Sequence, residues 1–188
     1  MARQPISLKN GWLTQVKKRP SDNCDARPDS ADISLLVIHN ISLPPGQFAT
    51  GCIEDFFCNQ LDHHAHPYFD HLRGVEVSAH CLVNREGGIT QFVSFDQRAW
   101  HAGKSCFDGR ERCNDFSIGI ELEGTDNSPY TDAQYDSLTR LTRILMAAYP
   151  GITLERIAGH SDIAPERKTD PGPAFDWPRF QQALASKL

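Results

Sequence analysis

The stretch of sequence from residue 116 to residue 122 reads FSIGIEL and alternates between two kinds of side chain. Large apolar side chains point to one side, and Ser117, Gly119 and Glu121 point to the other. A period of two is typical of a β-strand with an apolar core face. The second face of this strand is small and polar, so no bulky neighbour on that face covers Glu121.

Further strands are predicted on both sides of this stretch. The apolar run at 34–39 predicts a buried strand that ends in a turn at 44–46. Residues 75–84 alternate along their whole length and predict one long strand. Residues 85–88 have the composition of a hairpin turn that leads into a strand at 89–95.

Helical patterns follow the strands. Residues 132–149 carry an apolar stripe at helical spacing, and Thr131 with Gln134 forms a capping box before it. A weaker helix is expected at 52–61, and a third is expected to start at Asp176. Mixed strands and helices with one hairpin predict an α/β or α+β layer fold around a mixed β-sheet.

Composition and charge narrow the classes of function. The chain has 188 residues, 19 basic and 24 acidic side chains and a net charge of −5, which argues against a general nucleic-acid binder because such proteins are usually basic. No apolar run approaches the roughly 18 residues of a membrane-spanning helix. Without repeats or linker-like tracts, residues 1–188 are expected to form a single domain. We expect a monomer that binds neither nucleic acid nor a membrane.

The leading segment and the cysteines bear on the cellular compartment. Residues 1–20 contain no apolar stretch of the roughly 7–15 residues found in signal peptides and no small-residue cleavage site. The six cysteines are scattered and form no C-x-x-C pair, which predicts free thiols in a reducing compartment. Together these features predict a cytoplasmic protein.

Candidate site residues follow the predicted strands and lie in loops. His39 ends the first buried strand, His160 follows a short apolar segment, and Asp170 lies in a loop. Two imidazoles and one carboxylate make a ligand set for catalytic zinc, although their spacing alone does not establish it. Glu121 is a candidate general base, or else part of a solvated outer face. Lys168 is a candidate for stabilising an oxyanion, or else a surface lysine.

Other histidines compete for a metal. The tract with His63, His64 and His66 resembles a metal-binding segment, but close spacing before a proline is more typical of an exposed loop. His80 lies on the polar face of a predicted strand, and His101 lies in a loop. Both either line a cleft or serve as hydrogen-bonded structural residues.

Five segments of the chain match a known family in order. They read SLLVIHNISLPPG (34–46), VSAHC (77–81), RAWHAG (98–103), CNDFSIGIELEGTD (113–126) and GHSDIAPERKTDPG (159–172). On these motifs the chain resembles the zinc N-acetylmuramoyl-L-alanine amidase superfamily, which also contains T7-type lysozymes and peptidoglycan recognition proteins. The match runs from about residue 11 to residue 177.

The resemblance implies a fold, a metal and a reaction. The family fold is a central mixed β-sheet flanked by helices, with zinc at one end of a groove. The family's Zn²⁺ ligands fall on His39, His160 and Asp170, and its catalytic residues fall on Glu121 and Lys168. The implied reaction is hydrolysis of the amide bond between 1,6-anhydro-N-acetylmuramic acid and L-Ala in muropeptides, during peptidoglycan recycling. The alternatives are an exported wall-cutting amidase and a non-catalytic muropeptide-binding module.

Substrate contacts are predicted from side-chain chemistry. Asn40 and Trp100 suit a sugar ring or the lactyl group, and the planar fork of Arg112 suits a carboxylate of the peptide stem. Family members also place an arginine just before the VSAH motif. Glu76 occupies that position here, with Arg73 nearby, so a second carboxylate clamp is not predicted with the same residues.

Overall fold

The computed structural model describes residues 6–186, so the first five residues of the leading segment lie outside it. Its strands are β1 (Leu8–Lys9), β2 (Trp12–Leu13), β3 (Lys17–Lys18), β4 (Cys24–Ala26), β5 (Leu35–Ile41), β6 (Cys81–Val83), β7 (Ile89–Gln91), β8 (Gln97–Ala99), β9 (Cys106–Phe107), β10 (Arg110–Glu111), β11 (Ser117–Glu123) and β12 (Ile157–Gly159). Its α-helices are α1 (Cys52–Phe57), α2 (Asp132–Ala148), α3 (His160–Ile163) and α4 (Trp177–Ala185). Short 3₁₀ helices cover Pro67–Leu72, Cys113–Asp115 and Leu154–Arg156.

The central sheet has six strands in the order β12-β5-β11-β6-β7-β3. The strands from β12 to β6 run parallel, β7 is antiparallel to β6, and β3 is parallel to β7. The predicted mixed sheet with flanking helices is therefore confirmed. Parallel pairing sets Glu121 opposite His39 and Gly159 opposite Ile38, so the carboxyl ends of three neighbouring strands carry their polar residues to one edge.

The two faces of β11 pack in different ways. Ile118, Ile120 and Leu122 join the core that includes the apolar stripe of α2, as the alternation predicts. The opposite face is also buried, and all seven residues of β11 are shielded from solvent. The alternative of a solvated outer face for Glu121 is therefore wrong, because the turn at 100–103 covers that face of the strand.

The predicted first residues of the helices agree with the structure better than the predicted last residues do. Thr131 Oγ1 accepts a hydrogen bond from Gln134 N at 3.1 Å, and Gln134 Oε1 accepts one from Thr131 N at 3.1 Å, so the capping box is confirmed. Asp176 caps α4 by accepting from Arg179 N. Helix α1 is shorter than predicted because the chain turns at Asn59, whose φ is 56°.

The strand predicted at 75–84 is wrong in its first half. Only β6 joins the sheet, and Val75 is 40% exposed. Ser78 N donates instead to the carbonyl of Trp100, so this segment runs along a cavity rather than along a neighbouring strand. The hairpin that follows is confirmed, since Asn84 N donates to the carbonyl of Gly88.

Two further expectations concern membranes and disulfides. No helix within residues 6–186 combines the length and the hydropathy needed to cross a bilayer. All six cysteines are unpaired, as predicted, and Cys81 and Cys113 are buried in the core.

Candidate active site

Three side chains that are distant in sequence converge at the carboxyl edge of the sheet. His39 lies on β5, His160 begins α3 directly after β12, and Asp170 lies in the following loop. The Nδ1 atoms of His39 and His160 are 2.9 Å apart, and each is 3.1 Å from Asp170 Oδ2. Both histidines are almost fully buried.

The chemistry of this cluster fits a bound cation. The two Nδ1 atoms and Asp170 Oδ2 face one another, and a single proton between them can form only one of the three hydrogen bonds. A bound cation would interact with the lone pairs of all three atoms at once. A tetrahedral Zn²⁺ with ligand bonds of about 2.0–2.2 Å holds its donors about 3.3–3.6 Å apart. The separations of 2.9–3.1 Å between the three donor atoms are close to that range. Within residues 6–186, this is the group of three histidine, cysteine or acidic side chains suited to a metal.

The protonation states favour ligand binding. Burial lowers the pKa of His39 to about 4, against the opposing effect of Asp170, so the ring is neutral near pH 7. Burial alone would raise the pKa of Asp170, but hydrogen bonds to His160 and His39 hold it well below its ordinary value. A neutral imidazole and an ionised carboxylate are the forms that bind Zn²⁺.

The loop that carries Asp170 is held by hydrogen bonds to its backbone. The carbonyl of Asp170 accepts from Ser161 N at 2.9 Å. The carbonyl of Pro171 accepts from Tyr130 Oη at 2.8 Å and from Asn40 Nδ2 at 3.1 Å. These contacts fix the third metal-binding side chain relative to β5 and α3.

Glu121 lies beside the metal cluster, and one of its carboxylate oxygens has no hydrogen-bond partner among residues 6–186. Its Oε2 atom is buried, and in the described part of the chain Thr142 Oγ1 is the other buried side-chain atom in that condition. Burial and the charge of Asp170 raise the pKa of Glu121 well above its ordinary value, and the charge of Lys168 opposes them. A buried carboxylate with a raised pKa and an open lone pair is suited to move a proton.

The cluster forms one wall of a cavity of about 600 Å³. Its polar end contains His39, His160, Asp170, Glu121 and Lys168. The rest of the lining includes apolar side chains, several of which pack in one hydrophobic cluster, namely Leu43, Pro45, Phe56, Phe57, Tyr68, Leu72, Val75 and Val77. The cavity is large enough for a substrate of several rings or residues, with its reacting bond at the polar end.

The predicted substrate contacts are only partly brought together. Asn40 and Trp100 both line the cavity, but Asn40 Nδ2 already donates to Asp126 Oδ1 and to the carbonyl of Pro171, which leaves its oxygen as the available group. Arg112 is exposed, lies outside the cavity lining and pairs with Asp115 at 3.3 Å. No observation here contradicts the predicted contact between Arg112 and a carboxylate of the peptide stem, so that contact stays a prediction.

The remaining histidines separate into a loop group and a buried group. His66 Nδ1 accepts from Tyr68 N and caps the 3₁₀ helix, and His63 hydrogen-bonds with the carbonyl of Phe69. The tract that resembled a metal site therefore serves local structure. In contrast, His101 lines the cavity and His80 is fully buried behind it.

His80 is held as a neutral ring. Its Nδ1 accepts from Gly119 N at 3.0 Å, and its Nε2–H donates to the carbonyl of Gln97 at 3.0 Å. Arg27, a residue that the sequence did not single out, lies beside it in a cage of backbone carbonyls, including those of Phe95 and Ser117. Burial and the Arg27 guanidinium lower the pKa of His80 to about 3.

This burial predicts a pH dependence of stability. The unfolded pKa of histidine is about 6.5, so between that value and about 3 the unfolded chain binds a proton that the folded His80 does not. The neutral His80 ring therefore contributes its full share of the free energy of unfolding above the unfolded pKa. As the pH falls below that value, the free energy of unfolding decreases by up to about 1.4 kcal/mol per pH unit. Urea unfolding at pH 7 and pH 5 measures it. The His80→Asn variant keeps an acceptor for Gly119 N but has no ring to protonate. Its free energy of unfolding should therefore decrease less between pH 7 and pH 5 than that of the wild type. Equal losses in both proteins would contradict the neutral buried ring.

Comparison with known proteins places this geometry in a family. The family model for N-acetylmuramoyl-L-alanine amidase matches residues 29–173. The 1,6-anhydro-N-acetylmuramyl-L-alanine amidase AmpD of Salmonella typhimurium is 58% identical over 93% of both chains.

Solved structures agree with the sequence comparison. The crystal structure of a selenomethionine AmpD derivative has a TM-score of 0.92 and 56% identity, and the match covers 94% of this chain and 98% of the other. The amidase AmiD from E. coli, in complex with anhydro-N-acetylmuramic acid-L-Ala-D-γ-Glu-L-Lys, has a TM-score of 0.59 and 33% identity, with 95% and 65% covered. The match over most of the chain shows that this protein belongs to the N-acetylmuramoyl-L-alanine amidase family.

Proposed function

We propose that the protein hydrolyses the amide bond between 1,6-anhydro-N-acetylmuramic acid and L-Ala in muropeptides, with Zn²⁺ held by His39, His160 and Asp170. The observation that carries the proposal is the three-ligand cluster beside an unpartnered, buried Glu121 at one end of a cavity of about 600 Å³. The names of the relatives support the substrate, because AmpD is a 1,6-anhydro-N-acetylmuramyl-L-alanine amidase and AmiD binds an anhydro-muropeptide.

The proposed Zn²⁺ would supply the Lewis acid, and the chain supplies its ligands and an open position toward the cavity. When bound, Zn²⁺ acts as a Lewis acid toward the carbonyl oxygen and lowers the pKa of a bound water toward about 7. The chain leaves the cluster open toward the cavity, since the three ligand residues line its wall. Three protein ligands with an open position are typical of catalytic rather than structural zinc sites.

Glu121 acts as the proton carrier. Its carboxylate takes the proton from the attacking water and passes it to the amine of L-Ala as the amide bond breaks. The raised pKa of Glu121 helps the second transfer, because a carboxylate with an ordinary pKa holds a proton too weakly near neutral pH. Pairing between β11 and β5 places this group opposite His39.

Lys168 stabilises the negative charge that develops on the amide oxygen. It lines the same end of the cavity, it is half-buried, and it forms none of the ion pairs found among residues 6–186. An ammonium group that is not neutralised by a carboxylate partner keeps its full charge for the substrate. Such a donor is worth roughly 3–4 kcal/mol in other enzymes.

The cavity suggests how the substrate lies. Trp100 offers an aromatic face to a sugar ring next to the polar end, and Asn40 offers its amide oxygen to a hydroxyl or an N–H group. We propose that Arg112, whose exposed side chain lies outside the cavity lining, pairs with a carboxylate of the peptide stem.

The proposal also covers the domain number, the oligomeric state and the cellular compartment of the protein. We propose a single-domain monomer that acts in the cytoplasm and binds neither nucleic acid nor a membrane. Six unpaired cysteines support a reducing compartment, and the net charge of −5 gives no attraction to nucleic acid.

Substrate choice and metal dependence test the proposal together. We expect release of L-Ala-containing peptide from anhydro-muropeptide to stop after dialysis against a chelator and to return with one equivalent of Zn²⁺. We also expect intact sacculi to be cleaved more slowly than anhydro-muropeptide, because the relative AmpD is named for a 1,6-anhydro-N-acetylmuramyl substrate. Chromatography of the released peptide measures both rates. Equal rates on both substrates would indicate a wall-cutting amidase, and zinc-independent binding without cleavage would indicate a binding module.

A further inference from the structure

We propose that one dipeptide, His101–Ala102, orients both metal-binding histidines. The His101 ring is the positioning residue for His39, and the Ala102 carbonyl holds His160. This inference rests on the zinc site of the proposed function. It assigns a role to the turn that covers the polar face of β11 and to two residues that the reaction itself does not use.

The first contact fixes the His39 ring. His39 Nδ1 belongs to the metal cluster, so the proton of its neutral ring resides on Nε2. That atom is 2.9 Å from His101 Nδ1, which accepts the hydrogen bond. The proton of His101 then resides on its own Nε2 and is donated to Ser117 Oγ at 3.1 Å. The chain of contacts leaves one consistent choice of tautomer for each ring.

The second contact fixes the His160 ring by the neighbouring residue of the same turn. His160 Nδ1 also belongs to the metal cluster, and its Nε2–H donates to the carbonyl of Ala102 at 3.2 Å. Arg167 Nη2 donates to the same carbonyl at 2.7 Å and to the carbonyl of Lys104 at 2.9 Å. The guanidinium therefore holds the acceptor in place from the outer side.

The dipeptide is itself anchored at both backbone amides. Asn114 Oδ1 accepts from His101 N at 3.2 Å and from Ala102 N at 2.8 Å. The His101 ring also lies directly against the backbone of β11, because a Cβ atom at Gly119 would be 2.5 Å from it. Gly119 therefore has a specific purpose on the polar face, which is to make room for this ring.

Such outer contacts change how a metal binds. A hydrogen bond from the far nitrogen of a ligating histidine fixes the tautomer and the orientation of the ring, and it raises the basicity of the ligand. Because one turn supplies both acceptors, a displacement of the dipeptide disturbs two of the three ligands at once. Asn114 and Arg167 are therefore expected to influence metal affinity without touching the metal.

The zinc dissociation constant tests the inference, measured with Zn²⁺ in competition with a chromophoric chelator. His101→Leu removes the acceptor and is expected to weaken zinc binding about 10–100-fold. His101→Asn keeps an oxygen close to the position of Nδ1 and is expected to restore the constant to within about threefold of the wild type. His71→Leu, an exposed histidine outside the cavity, is the matched control and should leave the constant unchanged.

The second acceptor is tested through its anchor. Asn114→Ala removes the acceptor for both amides, whereas Asn114→Asp keeps it, so only the alanine variant should bind zinc more weakly. This pair decides the question if His101→Leu does not fold. Wild-type affinity in a folded His101→Leu, equal weakening by His101→Leu and His101→Asn, or equal affinities in the two Asn114 variants would overturn the inference. A wild type that binds no zinc would instead refute the proposed function.

Discussion

Replacing Glu121 by glutamine is expected to lower kcat by about 10²–10⁴-fold, the range that one general acid–base group contributes, while the protein keeps one equivalent of zinc. Glutamine has the same shape as glutamate but neither accepts nor releases a proton in this role. Glu121 Oε2 has no hydrogen-bond partner in the buried site, so the substitution breaks no structural contact made by that atom.

Two further measurements on the same samples distinguish a loss of proton transfer from a loss of zinc or of substrate binding. Zinc content, determined by elemental analysis, should match the wild type, and KM for the anhydro-muropeptide should change little because the lost interaction belongs to the transition state. Glu155→Gln, an exposed glutamate at the Leu154–Arg156 turn, is the matched control and should leave kcat unchanged. Loss of zinc from Glu121→Gln would move the residue from the proton-transfer step to the support of the metal.

Replacing His160 by alanine is expected to remove both zinc and activity. The variant leaves His39 and Asp170 as the only members of the cluster, and two ligands do not complete a catalytic zinc site. After dialysis, the zinc content should fall from one equivalent to near zero, and hydrolysis should fall to the rate of the chelated wild type. The cause is the lost ligand, because the ring contributes its second nitrogen only to the Ala102 carbonyl.

The control for this variant comes from the histidine tract in the loop. His64 is exposed and is not part of the metal cluster, so His64→Ala should keep full zinc and full activity. Stoichiometric zinc in His160→Ala would contradict the ligand assignment. Loss of zinc from His64→Ala would point back to the tract that the sequence left open as an alternative metal site.

Local patterns predicted the elements that depend on their own residues. The alternation of β11, the apolar run of β5 and the capping box of α2 all correspond to observed elements, since propensity and burial agree there. The first half of the strand predicted at 75–84 failed because Val75, Val77 and Ser78 line the cavity instead of pairing with a second strand. Periodicity reports that a side chain is covered, but not what covers it.

The site required information that spacing does not contain. His39 and His160 are 121 residues apart, and His39 and Asp170 are 131 residues apart, so residue types could suggest this ligand set but only the resemblance to a family supported it. The buried Arg27 gave no signal at all, because its partners are backbone carbonyls that no side-chain pattern marks. The burial of Glu121 was equally hidden, since it depends on a turn that is distant from β11 in sequence.

The pairing of Glu121 with His39 on neighbouring strands has a consequence for engineering the enzyme. Strands in a sheet lie about 4.8 Å apart, so the spacing between the proton carrier and the metal is a fixed dimension of the scaffold. The apolar side chains of the cavity lining come from separate segments, among them α1 and residues 67–77. Substitutions at the cavity-facing side chains of these segments are therefore expected to change which sugar or peptide is accepted, while the spacing of the hydrolytic groups stays the same. The converse does not hold, because a single-residue insertion within β11 would turn the carboxylate toward α2.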